Sequence, residues 1–558
     1  MSDTAARRSS VGSRTIAMAV AIGVVAIALR CWRLSWGLPS GPGYLGFPDE
    51  ALMWGAYVKD FIPLSWSSFD QENLIYPTLY GELVGLTSAA MHALGFIGTQ
   101  PPAANTFRVT PQAILLARSI SVTMSLATVA VVGFAGSRMY SRRVGLFAAA
   151  FMAVVPFEAT YSHVASPDFL LTTCSTLTIV LAFLVVTRDG AWRAVAAGVA
   201  AGAATGTKYT GLAMTVPVAW AAAETALGRR SIRTGVVVAS LSLLGFALAV
   251  VLACPSCVLH SDRMLVAMQN HLRVNTDLYI HLHNNFLTPS LGWYGRPYAY
   301  QLVASLPYVF GFPMYALALS GVCIALWRRE IADRVILAGI VPYFLSMSAS
   351  MVVYPRYLLP ILPGLVILAA RGLSGIRNTH FRNIIFALVW AYSFALVFSQ
   401  VSRLSFDQQD EVAQWIVEDA RRTGDRARAV TVGSPKMMLD YFRLATPLSA
   451  KGLTYIQLAD GNWFHDPPEF FVLPEWYEIA IERDMPSSKV AEDLLRLRSG
   501  LAGYCRAASW SSTYLHRDLY TSLDPAFAAD LWQGEIGFTV YTRGTCASRD
   551  SRNVIQGE

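Results

Sequence analysis

Long apolar runs separated by short polar turns fill the first 400 residues of the chain. Each run is close to the ~20 residues that cross a hydrocarbon core, so the pattern predicts about eleven membrane-spanning helices. The predicted spans are 16–34, 113–137, 144–161, 169–187, 192–206, 209–227, 234–254, 300–327, 335–352, 357–373 and 384–400. We therefore predict a polytopic α-helical membrane domain over residues 1–400.

The last part of the chain, residues 401–558, has the pattern of a soluble protein. Helical stretches alternate there with short strand-like runs, which is typical of an α/β domain. The predicted helices are 410–422 and 488–497, and the predicted strands are 429–432, 470–472 and 536–541. We predict one soluble α/β domain over this part.

Arginines cluster in alternate turns between the predicted spans, in the stretches 138–143, 188–193, 229–233, 328–334 and 371–382. The positive-inside rule places these turns and the N-terminus in the cytoplasm, so the C-terminal domain is predicted to be extracytoplasmic. The apolar run 79–96 would reverse this parity if it crossed the membrane. We therefore predict that residues 35–112 form one external region in which 79–96 lies at the interface. The alternative is that 79–96 spans the membrane together with a second span that the sequence pattern does not reveal.

Composition narrows the class of protein. Hydrophobic residues make up 54% and charged residues 15% of the chain, and the mean hydropathy is +0.41, which excludes a soluble multidomain protein and a disordered chain. The net charge of +7 does not indicate nucleic acid, because much of the basic excess lies in the orienting turns. Cys254 and Cys257 form a disulfide, a redox pair or two idle thiols, and Cys505 and Cys546 are able to pair in an oxidising compartment.

Acidic residues gather on the predicted external side, where ionisable groups are candidates for function. Asp49 and Glu50 follow a proline, which is also a good helix N-terminus. On a helix, neighbouring residues point about 100° apart, so these two acids would take different roles. Asp168, in Ser-Pro-Asp, is likewise either a capping residue at a helix N-terminus or a functional acid. The same turn also holds Glu158 and His163.

Two cations lie at the same external side. Lys208 is the only lysine between Lys59 and Lys436, in a chain with five lysines and 39 arginines. Arg356 and Tyr357 belong to Tyr-Pro-Arg-Tyr. Lysine and arginine both suit phosphate binding. The alternative for Lys208 is a lysine that snorkels at a helix end, and the alternative for Arg356 is a membrane interface anchored by the flanking tyrosines.

The external stretch 255–299 holds four of the nine histidines, and His281 and His283 would share a face if the chain were extended there. Together with a carboxylate these two rings could bind a divalent metal. Histidines in loops are usually not metal ligands, so the alternative is that His281 and His283 bind no metal.

Six segments, in this order along the chain, resemble the GT-C superfamily of integral-membrane glycosyltransferases. The closest branch is that of bacterial proteins related to protein O-mannosyltransferases and to lipid A aminoarabinose transferase. The segments are FPDEALMWGAYV, NLIYPTLYGEL, LLARSISV, YSHVASPDFLL, GAATGTKYTGL and YPRYLLPILPGLVILAARGL. They cover most of residues 30–375.

The resemblance implies an inverting hexosyl- or pentosyltransferase of the bacterial cytoplasmic membrane, with juxtamembrane helices in its first external loop. It implies a polyprenyl-phosphate-linked sugar donor, an acceptor hydroxyl on a lipid, a glycan or a protein, and an active site on the extracytoplasmic face. Some relatives bind a divalent metal, so the resemblance is compatible with a metal-dependent or a metal-independent enzyme. The implied roles are catalysis for Asp49, Glu50 and Asp168, donor-phosphate binding for Lys208, Arg356 and Tyr357, and cavity positions for Glu82, Glu158 and His163.

A secondary transporter or lipid flippase with an extracytoplasmic domain is the alternative from another class. It would predict charges near the bilayer midplane and an internal repeat. The charges gather instead at one membrane face, and the sequence shows no repeat. A scaffold whose C-terminal part binds the cell wall is a further alternative.

Overall fold

Every predicted apolar run forms helix in the structure, which is a computed structural model. It describes residues 2–36, 38, 50, 60–71, 74, 76–97, 111–188, 190–276, 297–350, 354–404, 408–423, 428–431, 454–457, 464, 468–474, 478, 489–510 and 538–543. The first half of the chain contains α1 (Ser2–Cys31), α2 (Leu79–Ala93), α3 (Pro111–Met139), α4 (Arg142–Ala153), α5 (Pro156–Tyr161), α6 (Pro167–Thr187), α7 (Ala191–Thr207), α8 (Thr215–Gly228) and α9 (Ile232–Ala253). It continues with α10 (Pro255–Leu259), α11 (Ser261–Thr276), α12 (Pro297–Tyr300), α13 (Leu306–Phe310), α14 (Phe312–Arg328), α15 (Ile331–Ser348), α16 (Leu362–Ser374) and α17 (Thr379–Arg403).

Within the described residues, six helices are long and apolar enough to cross a membrane. They are Pro111–Met139, Pro167–Thr187, Ile232–Ala253, Ile331–Ser348, Pro355–Ser374 and Thr379–Ser402, and two shorter apolar helices are Thr15–Cys31 and Phe312–Arg328. The chain is therefore a polytopic helical membrane protein. The number of about eleven spans stays a prediction.

Two runs that the sequence predicts as single spans are broken in the structure. The run 144–161 divides into α4 and α5, with Pro156 in the first turn of the second helix. The run 300–327 divides at Gly311, whose φ of 73° lies in the left-handed region that glycine adopts readily. The preceding turns include a π-helical stretch, Gln301–Ser305.

The helix α2 occupies the apolar run 79–96 and is only 15 residues long. At 1.5 Å per residue it extends roughly 22 Å, less than the ~30 Å hydrocarbon core. Its length is compatible with the predicted interfacial position, which stays a prediction. One side of it is buried against the bundle through Tyr80 and Val84.

A stripe of glycines lets α7 pack directly on the backbone of α9. A methyl group added to Gly198 or Gly202 would collide with backbone atoms of Ser242 or Phe246. Small residues four positions apart are the usual means of such close packing between membrane helices. Because α7 ends at Thr207, this contact fixes the position of the next residue, Lys208.

The C-terminal part forms a five-stranded mixed sheet flanked by the helices α18 (Gln408–Thr423) and α19 (Lys489–Arg498). The strands are β1 (Arg428–Thr431), β2 (Thr454–Gln457), β3 (Phe470–Pro474), β4 (Tyr504–Trp510) and β5 (Phe538–Arg543), in the order β2-β1-β3-β5-β4. β1 is parallel to β2 and β3, whereas β5 is antiparallel to β3 and β4. The predicted helices and three predicted strands are present, and β2 and β4 are additional. The domain division at residue 400 and the α/β class of this part stay predictions.

Candidate active site

Lys208 lies at the junction between α7 and a 3₁₀ turn, Tyr209–Met214. Its backbone is extended there, so its side chain leaves the helix and is almost completely buried. The ammonium nitrogen Nζ donates to Oδ1 of Asp168 at 2.9 Å and lies 5.2 Å and 4.9 Å from the ring centres of Tyr76 and Tyr357. A carboxylate and two aromatic faces thus compensate a buried positive charge.

Asp168 stands in the first turn of α6, directly after the cap formed by Ser166 and Pro167. The Ser166 hydroxyl accepts from the backbone N–H of Asp168 at 3.2 Å and donates to Oδ2 of its carboxylate at 3.0 Å. The second oxygen, Oδ1, binds Lys208. Serine is therefore the capping residue of this helix, and the aspartate holds the lysine.

Arg356 and Tyr357 belong to a 3₁₀ helix, Pro355–Ile361, that leads into α16. The guanidinium of Arg356 lies 4.6 Å from the ring centre of Tyr354 and 5.9 Å from that of Tyr357. Its Nη1 is 3.5 Å from the Tyr161 hydroxyl. The structure therefore brings four of the predicted residues together: Asp168, Lys208, Arg356 and Tyr357.

A cavity of about 520 Å³ opens beside this cluster. Lys208 and Tyr357 form part of its wall, and most of the remaining wall is apolar or bears a hydroxyl group. The other lining residues are Tyr76, Tyr209, Thr210, Leu212, Ala213, Met268, Leu272, Pro342, Tyr343, Ser346, Met347, Ala349 and Ser350. Such a wall suits an apolar chain whose anionic end reaches one cation.

Glu50 is fully buried and forms a bidentate ion pair with Arg118 of α3. Both of its oxygens accept from the guanidinium at 2.8 Å, and Oε1 also accepts from the backbone N–H of Ala165 at 2.7 Å. Arg118 further donates to the carbonyl oxygens of Leu34 and Trp36. Glu50 therefore joins the segment between α1 and α2 to α3 and to the turn before Asp168.

Glu158 and His163 occupy a second buried network. Glu158 accepts from Arg30 of α1 and from Ser125 of α3, each at 2.5 Å, and its side chain is fully shielded from solvent. Both ring nitrogens of His163 lie 3.0 Å from carbonyl oxygens, those of Thr160 and Trp32. Burial lowers the pKa of His163 to about 4. Among the described residues that line the cavity, neither of these two appears.

Glu82 lies in the first turn of α2 and is not among the described residues that line the cavity. Its carboxylate accepts from the Thr78 hydroxyl at 2.6 Å. Burial raises the pKa of Glu82 to about 7, and the Thr78 hydrogen bond opposes the shift. A carboxyl with this pKa exchanges its proton near neutral pH.

Asp49, His281 and His283 lie outside the described residues. Within the described part of the chain, no group of three or more histidine, cysteine, aspartate or glutamate side chains is placed to hold a metal ion. His260, directly after α10, is 2.5 Å from Asp70. The metal site suggested for His281 and His283 therefore stays a prediction.

Several residues of the site were not predicted from the sequence. Tyr76 and Tyr343 line the cavity, and the Tyr343 hydroxyl is 3.2 Å from that of Thr210. Tyr76 lies inside the segment NLIYPTLYGEL, so the resemblance marked its position without its role. Arg118 likewise lies inside the segment LLARSISV, whereas Arg30 gave no local signal, because its partner Glu158 is distant in sequence.

The fold and the site define a polytopic membrane protein with a buried carboxylate–lysine pair beside an apolar cavity. Residues 104–255 match the family model described as dolichyl-phosphate-mannose-protein mannosyltransferase. No curated protein matches the chain in sequence.

Two solved structures align with this chain at low sequence identity. The apo Archaeoglobus fulgidus oligosaccharyltransferase aligns with a TM-score of 0.51 and 13% identity, over 84% of this chain and 71% of that chain. ArnT from Cupriavidus metallidurans in the apo state aligns with a TM-score of 0.45 and 14% identity, over 86% of this chain and 95% of that chain. The family match and the oligosaccharyltransferase fold confirm the resemblance to the GT-C membrane glycosyltransferases.

Proposed function

We propose that this protein is a glycosyltransferase that moves a sugar from a polyprenyl-phosphate-linked donor to an acceptor hydroxyl at the extracytoplasmic face. The family matched over residues 104–255 is named for a sugar donor of this lipid-phosphate class. That matched segment contains both Asp168 and Lys208. The proposal covers hexosyl and pentosyl donors, and lipid, glycan or protein acceptors.

The observation that carries the proposal is the position of Lys208. Its ammonium group forms part of the wall of a largely apolar cavity and is held by Asp168 between two tyrosine rings. A polyprenyl chain requires an apolar cavity, and its phosphate requires a fixed cation. Arg356, which lies over Tyr357, supplies a second positive charge close by.

The reaction that follows is a single displacement. The acceptor oxygen forms a bond to the anomeric carbon, the bond from that carbon to the phosphate oxygen breaks, and the phosphate leaves with the electron pair. Asp49 takes the proton of the acceptor hydroxyl as general base. Lys208 and Arg356 stabilise the charge that develops on the leaving phosphate. A single displacement inverts the anomeric configuration.

The remaining acids have supporting roles in this proposal. Asp168 positions Lys208 through the 2.9 Å ion pair. Glu50 braces the loop that carries Asp49, because its carboxylate is already committed to Arg118 and Ala165. Tyr357 places an aromatic face against the lysine and lines the cavity, where its hydroxyl would contact the donor.

The test is transfer from a radiolabelled polyprenyl-phosphate sugar by the purified full-length protein in lipid nanodiscs. We expect Asp49→Asn to lower kcat by about 100-fold or more, the scale of one general base. We expect Lys208→Gln to raise the KM for the donor and to lower kcat, because the phosphate loses a cation that binds it and stabilises its charge as it leaves. Lys489→Gln, at an exposed position on α19, is the matched control and should behave as wild type.

Three outcomes would overturn the proposal. Transfer at the wild-type rate by folded Asp49→Asn would show that Asp49 is not the general base. In proteoliposomes, movement of the labelled lipid across the bilayer without sugar transfer would identify a transporter or flippase. Neither transfer nor movement would favour a scaffold.

A further inference from the structure

A disulfide joins Cys254 and Cys257 at the point where α9 ends and α10 begins. Both cysteines are almost completely buried, at 1% and 5% exposure. A dithiol that exchanges with other proteins has to present a thiolate to solvent, so this burial excludes a catalytic redox pair. The disulfide shapes the turn that contains Pro255 and Ser256.

Ser256, between the two cysteines, holds the first external loop. Its hydroxyl donates to the carbonyl oxygen of Phe69 at 2.6 Å and accepts from the backbone N–H of Gln71 at 2.8 Å. Four residues further on, His260 lies 2.5 Å from Asp70. The disulfide turn thus contacts three consecutive residues of a segment about 185 positions earlier in the chain.

The held segment continues directly into the wall of the donor cavity. Leu74 packs in one apolar cluster with Cys254 and Cys257, and its carbonyl oxygen accepts from the Tyr209 hydroxyl at 2.9 Å. Two residues later, Tyr76 places its ring 5.2 Å from the ammonium nitrogen of Lys208. The position of Tyr76 against the lysine therefore depends on the disulfide turn.

The chain on the other side of the disulfide reaches the same cavity. The turn leads through α10 into α11, where Met268 and Leu272 form part of the wall. Met264 and Ala267 of that helix pack against the cluster of the cysteines. Two separate parts of the wall, Tyr76 and the face of α11, are thus anchored at one turn.

We propose that the Cys254–Cys257 disulfide is a positioning element of the donor cavity, so that the complete site is assembled only in the oxidised chain. This inference rests on the proposed function, since it assigns the cavity to the lipid-phosphate donor. Closing the turn covalently limits the conformations of the segment between α9 and α11. The cysteines touch no reacting atom and act through Ser256, Leu74 and Tyr76.

The test compares two variants with the wild type, all as full-length protein in nanodiscs. Cys254→Ala with Cys257→Ala removes the disulfide, and Ser256→Ala keeps it but removes both hydrogen bonds to the 69–71 backbone. We expect the double variant to raise the donor KM about tenfold, below the ~100-fold that a 1 Å misplacement of a catalytic group costs. kcat should stay within about twofold, because neither Asp49 nor the ion pair of Lys208 with Asp168 is altered. Cys323→Ala, at a free exposed cysteine, is the matched control.

Hydrogen exchange over residues 66–78 is the second measurement and does not depend on catalysis. Faster exchange there in both variants, with the larger effect in the double variant, supports the proposal. Unchanged KM and unchanged exchange in the folded double variant overturn it. If the double variant fails to fold, Ser256→Ala provides the test. Exchange at the wild-type rate together with a wild-type KM in Ser256→Ala also overturns the proposal. Absence of transfer in the wild type overturns the proposed function alone, and the exchange rates still decide whether the disulfide holds the segment.

Discussion

At the scale of single residues, the neighbouring acids Asp49 and Glu50 have to be assigned different roles. Glu50 accepts three hydrogen bonds from Arg118 and Ala165 and has no exposed surface. Because these donors already occupy both oxygens, the Glu50 carboxylate is placed to hold the surrounding segments together rather than to contact a substrate. The proposed reaction therefore assigns the role of general base to the preceding residue, Asp49.

Glu50→Gln is expected to destabilise the protein more than it alters the chemistry. Removing one partner of a buried ion pair leaves an uncompensated charge, here on Arg118, and costs about 3–5 kcal/mol. Thermal unfolding in nanodiscs should show a clear fall in Tm, whereas Glu492→Gln, at an exposed site on α19, should leave it unchanged. A Glu50→Gln protein with wild-type Tm and no transfer would show that Glu50 acts in the reaction rather than in stabilising the fold.

At the scale of elements, α2 places an ionisable group at its buried N-terminal turn. Glu82 is 5% exposed, and burial raises its pKa from the ordinary 4.5 to about 7. The folded protein therefore holds this proton more tightly than the unfolded chain does. That contribution to stability is fully present below about pH 4.5 and is lost as the pH rises through about 7.

The expected result is a Tm that falls between about pH 5 and pH 8 and a smaller fall in Glu82→Gln, which is neutral throughout. The measurement is thermal unfolding of both proteins across this range in the same nanodiscs. Glu492→Gln should keep the wild-type pH dependence. Equal slopes in wild type and Glu82→Gln would show that Glu82 is ionised across the range.

The layout of the helices could be predicted because apolar run length is a local property of the sequence. The break at Gly311 could not, since one glycine in an apolar run is compatible with a continuous helix. The strands β2 and β4 were missed because short strands show their pattern only against a partner. In the site, Lys208 and Asp168 could be selected by their positions at helix ends, but their 2.9 Å contact joins residues 40 apart in sequence.

At the scale of the whole molecule, the charged clusters separate onto the two ends of the helices. The candidate site lies where α6 and the 355–361 turn begin and where α7 and α15 end. A second cluster lies at the opposite helix ends. There Arg371 pairs with Asp333 and Glu330, Tyr140 donates to Asp333, and Arg334 pairs with Glu224.

This second end carries the arginine-rich turns, so the positive-inside rule predicts that it is cytoplasmic and that the cavity is extracytoplasmic. The disulfide between Cys254 and Cys257 fits an oxidising compartment at the cavity end. Reporter fusions in a bacterial host test the orientation. Green fluorescent protein should fluoresce at the N-terminus and after Arg230, and alkaline phosphatase should be active after Glu558.

The same fusions decide whether α2 crosses the membrane, because each crossing reverses the side of everything that follows. With an interfacial α2, the N-terminus and the turn after α8 lie on the same side. A crossing α2 would place them on opposite sides, so that fluorescence at the N-terminus would accompany phosphatase activity after Arg230. That result would put the arginine-rich turns outside and the cavity with Lys208 inside. The donor would then have to be bound from the cytoplasmic leaflet, which would contradict the extracytoplasmic reaction proposed for this protein.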